Sequence, residues 1–453
     1  MVWFTKILRY TMIAAAMTAT AVVASGDEVY DYSVLRKGSP IDIRIKKIIN
    51  NFGQYAGYSP VLVGDLNNDG KAELVTVATD YRNNGASFVV IDGATGKHTI
   101  VKFGKDDGMP GVSFGYACGP LAISRNGYIY AVTGTAEQKN IISYRYQSAG
   151  NIVQVAEAPL KHNFYGNPRL ADFNGDGREE VFVGNEVFDA LSLTPIGGDG
   201  DNNVGQHYQH DGAMFMMGTA ADVLPEHPGL ELVCGNQIFS VSASNIMLLR
   251  TIGNKHEGSS QVADLDLDGH PEILVRSTMG YLSLYSVNDG TEVFRDAYTM
   301  TGYPAIGDID GDSVPEIVGL ISGSKMAAYK YDAKSRRLVE LWNIDHSDRS
   351  AQTSMTLFDF NADGKCEIVY RDETSLRIID GSGRKPVNIA SMQVNSATKS
   401  EYPVVADVDG DGQAEIVVSG AMYKDFEKDN ASINIFSSNR WAWAPAPSWW
   451  GEY

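Results

Sequence analysis

Carboxylate and amide side chains recur at alternate positions in six short stretches of the chain. Each spells D-x-[D/N]-x-D and ends on a glutamate at the ninth position. The sets are Asp65, Asn67, Asp69 and Glu73; Asp172, Asn174, Asp176 and Glu180; Asp264, Asp266, Asp268 and Glu272. The remaining three are Asp308, Asp310, Asp312 and Glu316; Asp359, Asn361, Asp363 and Glu367; Asp407, Asp409, Asp411 and Glu415. Oxygen ligands at alternate positions of a tight loop can converge on one point, as a hard cation such as Ca²⁺ requires. A backbone carbonyl, that of Lys71 in the first stretch, would add a further oxygen. The all-oxygen set and an extracellular setting favour Ca²⁺ over Zn²⁺ or Mg²⁺. A single such stretch can also be read as an acidic turn with Asx-type hydrogen bonds and no metal. Six in phase are not so read, because three or four carboxylates within nine residues repel one another unless neutralised. Sites that repeat are expected to be structural, whereas a catalytic site is normally singular. No catalytic residue is assigned: there is no nucleophile elbow, phosphate-cradling loop or paired-cysteine zinc site. The sixth residue is Gly in five stretches and Ser313 in the fourth, which is therefore expected to be the strained or weak site.

Each acidic stretch lies between two apolar runs, as in "SPVLVG" before Asp65 and "ELVTV" from Glu73. That is strand, loop, strand. Two more units share the shape. Residues 119–133 have it without carboxylates, and residues 219–233 keep Asp222 and Glu231 but lose the alternating ligands. Third strands such as "YLSLYSV" and "LRIID" follow, often with an Asp-Gly turn, as at Asp289-Gly290 and Asp380-Gly381. Helical periodicity is nearly absent. Four-stranded antiparallel units at a period of roughly 40–50 residues indicate an all-β fold, a β-propeller. Eight blades are expected, or seven if 119–133 is an insertion. The residue before the first loop Asp is small in most units (Gly64, Ala171, Ala221, Ala263, Gly307, Ala406), as inner strands crowding toward an axis require; Phe358 is the exception. The last unit has no clear fourth strand. The segment "IDIRIKKII" (41–49) is expected to supply it, closing the ring and removing an exposed edge.

The acidic loops resemble those of FG-GAP/VCBS-type propeller repeats, found in integrin α-subunit heads, bacterial surface proteins and rhamnogalacturonan lyases. Phe52-Gly53 ahead of "GYSP" and Phe114-Gly115 ahead of "ACGP" resemble the signature that names the repeat. The resemblance covers roughly residues 50–440. It implies a calcium-binding propeller and leaves the partner open.

The 453 residues divide into a signal peptide (1–24), a lead segment (25–40), the propeller (41–438) and a Trp-rich tail (439–453). Lys6 and Arg9 precede an apolar, Ala-rich stretch that ends at a small-residue cleavage site, Val22-x-Ala24. Secretion to the periplasm or cell surface is the expectation, with no transmembrane segment in the mature chain. Cys118, Cys234 and Cys366 are too few and too scattered for a disulfide framework and read as free thiols. The net charge of −19 disfavours nucleic acid as a partner. Its cause is local. Three loops carry three ligand carboxylates and three carry four, twenty-one in all, against which about six Ca²⁺ would return twelve positive charges.

On a propeller, the loops between first and second strands share one face. Connections between second and third strands, and between blades, share the other. The long segments 79–87, 104–118, 197–214 and 421–432 belong to that second face. The expected ligand-contacting residues are Tyr81, Arg82, His207, Tyr208, His210, Tyr423, Lys424 and Phe426. Aromatic faces with Arg, His and Asn suit glycan or protein recognition; taken singly, each is more often a solvated loop residue. The tail "NRWAWAPAPSWWGEY" resembles a W-x-P-x-x-x-W segment that closes propeller regions in modular surface proteins; packing across the last blade and contacting a partner are equal expectations. Three functions follow: a secreted binding or adhesion module for glycan or protein, a polysaccharide lyase of the rhamnogalacturonan-lyase type, or a structural module of an envelope assembly.

Overall fold

Strands account for all the regular structure among the described residues, and no helix there is long and apolar enough to cross a membrane. The computed structural model describes residues 35–50, 60–80, 85–93, 95–102, 121–134, 138–161, 165–198, 206–208, 214–277, 279–322, 324–348, 353–396, 401–422 and 431–450. Six separate four-stranded antiparallel sheets span 62–102, 121–159, 169–197, 219–251, 259–299 and 305–345. A seventh set of four, 355–395, pairs with an eighth through Val394↔Met422 and Asn395↔Ala421. We number these units blades 1 to 8 in chain order. The segment 119–133, which lacks carboxylates, supplies the first two strands of blade 2, Leu121–Ile123 and Tyr128–Gly134.

The second and third strands read as continuous apolar runs because both faces of each sheet are covered. In blade 1, Val75, Val77, Phe88 and Val90 pack against Leu121, Ile129 and Tyr144 of blade 2. The alternate residues Leu74, Val89 and Ile91 pack on the other side against Val404, Val417 and Ile433 of blade 8. Side chains alternate across a strand, so one β-branched run fills two interfaces. Every neighbouring pair of blades shares such a buried cluster, blade 8 with blade 1 included.

Blade 8 takes its fourth strand from the start of the described chain. Arg44–Ile49 runs antiparallel to Ser432–Ser437, from Arg44↔Ser437 to Ile49↔Ile433. The strand is shorter than the expected 41–49. Ile41 and Ile43 precede it and pack against the cluster between blades 7 and 8 instead. The pairing slips between Ile45 and Lys47, which leaves Lys46 as a bulge residue.

Residues 439–450 cross the closure from outside the strand pairing. Trp443 packs edge-on against Phe360 at 4.6 Å between ring centroids, and Ala444 exchanges backbone hydrogen bonds with Phe360 and Ala414. Trp450 then bridges to Val63, in the innermost strand of blade 1, through two backbone hydrogen bonds of 2.7 and 2.9 Å. The tail therefore lies across the last blade and reaches the first. Gly64 is small because a Cβ there would sit 2.4 Å from the Trp449 ring and 3.0 Å from Ile123.

Candidate metal centre

The acidic loops owe their shape to where their glutamates stand. Glu73, Glu180, Glu272, Glu316, Glu367 and Glu415 each open a second strand and pair with the last residue of the first: Gly64, Ala171, Ala263, Gly307, Phe358 and Ala406. Each glutamate is nearly inaccessible. One of its oxygens, Oε2, accepts the backbone N–H of the second loop residue (Leu66, Phe173, Leu265, Ile309, Phe360, Val408) at 2.8–3.1 Å. The first Asp accepts the N–H of the sixth residue at 2.7–2.9 Å. The fifth-position Asp accepts that of the seventh. These bonds curl the backbone of each loop around its own side-chain oxygens.

The curl needs left-handed backbone at the sixth residue. Gly70, Gly177, Gly269, Gly364 and Gly412 have φ between 83 and 95°, and Ser313 is held at 70° in the same place. The fourth residue is left-handed too, and there Asn68, Leu267 and Ala362 take positive φ without being glycine.

Burial pushes Glu73, Glu272 and Glu367 up to about 8, and the loop aspartates add repulsion. Glu180 moves in the same direction for the same reason. Asp189, which pairs with Glu180 across the sheet, adds a further negative charge there. A buried carboxylate that is disfavoured as an anion, faces further carboxylates and has one oxygen turned inward fits a hard divalent cation. In the third loop, ligand atoms of Asp264, Asp266 and Glu272 lie within 4.8 Å of one another; Asp308, Asp310 and Glu316, and Asp407, Asp409 and Glu415, form equally tight groups. In the loops with Asn at the third position, Asn67 and Asn174 turn an amide N–H to the inward Oε1 of Glu73 and Glu180, while Asn361 donates to the Ser39 carbonyl.

The glutamate anchor is not by itself a metal signal. The unit at 219–234 keeps it: Val223 and Leu224 donate to Oε2 of Glu231 at 2.9 and 3.2 Å, without the ladder of alternating ligands. The glutamate fastens the hairpin, and the aspartates and asparagines in front of it are the groups that could hold a cation.

Two functional side chains escape a reading of the loops alone. Lys46 and Lys330 reach into the sixth and fourth loops and pair with their carboxylates. Strand register is the signal that would have found Lys330, which stands beside Glu316 on the adjacent strand. Of the expected ligand-contacting residues, Tyr81, Arg82, His210, Tyr423, Lys424 and Phe426 lie outside the described residues. His207 and Tyr208 belong to a strand, Gln206–Tyr208, not to a loop. It pairs with Met214–Met216, which pairs in turn with Tyr165–Gly166 in a small three-stranded sheet apart from the blades. Cys234 and Cys366 are buried free thiols, as expected; Cys118 lies outside the described residues.

Residues 359–418, which contain the fifth and sixth loops, match the FG-GAP-like repeat family. No curated protein sequence matches the chain. Among solved structures, the biofilm matrix protein Bap1 of V. cholerae is similar over 92% of this chain and 94% of its own, with a TM-score of 0.58 and 15% identity. Sqt1 of Saccharomyces cerevisiae is similar over 89% of this chain and 100% of its own, with a TM-score of 0.46 and 11% identity. BamB of Moraxella catarrhalis is similar over 89% and 98%, with a TM-score of 0.38 and 10% identity. With the stacked four-stranded blades and the fold shared with Bap1, the chain is a β-propeller protein, one stretch of which, residues 359–418, matches an FG-GAP-like repeat.

Proposed function

We propose that this chain is a secreted, calcium-stabilised β-propeller that acts as a binding or adhesion module for a glycan or protein at the cell surface or envelope. The observation that carries the reading is the repetition of one acidic hairpin, fastened by the same buried glutamate, in six of the eight blades. Identical anchors at equivalent positions stiffen a scaffold, and a rigid scaffold is what displays recognition loops at low entropic cost. The fold shared with a biofilm matrix protein supports an extracellular setting. The partner face in this reading is opposite the acidic loops, where Tyr81, Arg82, His207, Tyr208, His210, Tyr423, Lys424 and Phe426 fall in sequence.

The test is binding of the mature chain, in calcium, to a glycan array and to isolated envelope proteins. Binding that drops tenfold or more in Tyr81→Ala, His210→Ala or Tyr423→Ala, at unchanged stability, is the expected outcome. Binding that instead tracks Glu272→Ala at unchanged stability would move the site onto the calcium loops. Release of unsaturated uronides from pectic polymers would replace this reading with the lyase.

A further inference from the structure

Two of the six acidic loops differ from the other four in three separate respects. The first is a lysine. In the sixth loop, the Lys46 ammonium lies 2.6 Å from Asp409 Oδ2, 2.6 Å from Glu415 Oε1 and 3.4 Å from Asp411 Oδ2. In the fourth, Lys330 pairs with Asp312, lies 3.1 Å from Glu316 Oε1 and 3.9 Å from Asp310 Oδ2. Among the described residues, no ion pair reaches the ligand positions of the loops that begin at Asp65, Asp172, Asp264 and Asp359.

The second difference is in the backbone. In those four loops, Oδ1 of the first Asp accepts the N–H of the fifth residue, at 3.0–3.1 Å. In the two lysine loops it accepts the N–H of the fourth, Gly311 or Gly410, at 2.6 and 2.9 Å. The third is the space around that glycine. A Cβ on Gly311 would lie 3.0 Å from the Lys365 side chain of the next loop, and one on Gly410 would lie 2.6 Å from the Gly70 carbonyl oxygen. The loops of blades 6 and 8 are thus curled more tightly and crowded by the loop that follows.

The two lysines arrive by different routes. Lys330 stands on the third strand of blade 6. Lys46 comes from the strand that closes the ring, and the bulge at that residue aims it inward. Convergent placement from unrelated positions indicates that each loop needs a positive charge and that an ammonium supplies it.

We infer that in the loops at Asp308 and Asp407 the ammonium groups of Lys330 and Lys46 take the place of a divalent cation, and that calcium loads only the loops at Asp65, Asp172, Asp264 and Asp359. A cation held by Glu415 Oε1 and Asp409 Oδ2 would compete with the ammonium for the same oxygens, and two positive charges there repel. The inference rests on the calcium reading above and specifies which sites take the ion. It also makes ring closure independent of calcium, because the ammonium that sits in the loop of blade 8 belongs to the closing strand.

The experiment is native mass spectrometry of the mature chain after equilibration in excess calcium. Four ions per chain are expected, and six in the double variant Lys46→Met/Lys330→Met. Should that variant not fold, Glu272→Gln and Glu316→Gln are compared in the wild-type background: the first loses one ion and the second none. Five or six ions in the wild-type chain would overturn the inference while leaving calcium binding intact. Loss of an ion in Glu316→Gln would do the same. No bound ion at all would overturn the calcium reading and this one together.

Discussion

Glu272 does two things at once. Its Oε2 holds the Leu265 N–H at 2.9 Å, and its carboxylate joins Asp264 and Asp266 around the candidate cation position. The two roles separate experimentally. Removing the side chain orphans a buried N–H, which costs about 1–3 kcal/mol whether or not calcium is present. Losing one bound ion adds about 2.7 kcal/mol when free calcium is 100 times its dissociation constant. Glu272→Ala should therefore be destabilised more in calcium than in chelator, read from urea unfolding. An equal loss in both conditions would leave the glutamate with its hairpin role alone, as in Glu231. The same carboxylates set a pH dependence. Without calcium, burial holds Glu73, Glu272 and Glu367 near about 8, whereas in the unfolded chain they ionise in the ordinary carboxylate range. Between those limits the folded chain binds protons that the unfolded chain has released, so stability falls as pH rises through that window. Calcium binding needs the ionised form and opposes the trend. In chelator, the urea midpoint should be higher at pH 5.5 than at pH 8.5. A midpoint that rises with pH would show that these glutamates are compensated by other means.

Two elements hold the ring shut, and they were not equally legible. The closing strand could be read from sequence because the last unit lacks a fourth strand and 41–49 has the pattern to supply one. Deleting 41–49 should expose the edge of Ser432–Ser437, remove Lys46 from its carboxylates and promote aggregation. Light scattering of a truncated chain that stays monomeric and equally stable would disprove the closure. The tail was harder to place. Its tryptophans were visible, but their contacts are with Phe360, Gly64 and the Val63 backbone, which lie far away in sequence and have no pattern that points to a tail. Stacked cations extend the contact: Arg36 lies over the Trp441 ring and Arg125 over that of Trp449. Trp443 is 3% exposed, so Trp443→Ala should cost about 3–5 kcal/mol in thermal or urea unfolding. A loss under 1 kcal/mol would mean that the tail rests on the ring without holding it.

At the scale of the whole molecule, the features that local sequence specifies are the loops and the strands. Nine residues suffice to specify an acidic loop, and alternating apolar runs suffice to specify strands buried on both faces. The separation of the loops into two kinds depends on long-range placement: Lys46 meets Asp409 and Glu415 from the opposite end of the chain, through a bulge that no local pattern announces. The ring itself gives the last prediction. Buried clusters link every neighbouring pair of blades, so no blade can open without exposing two others. The fold should therefore survive chelation at room temperature and still melt in one transition. The midpoint should nonetheless fall by several degrees, because each lost ion removes about 2.7 kcal/mol at 100-fold saturation and leaves clustered carboxylates that repel. Salt should soften that second effect, since the Debye length shortens from about 10 Å at 0.1 M to about 3 Å at 1 M. The calcium-dependent shift measured by calorimetry should shrink at 1 M salt without vanishing, as the mass-action part is untouched by screening between loop carboxylates. An unchanged midpoint on chelation at low salt would remove calcium from the stability of this propeller and leave its acidic loops as hydrogen-bonded turns.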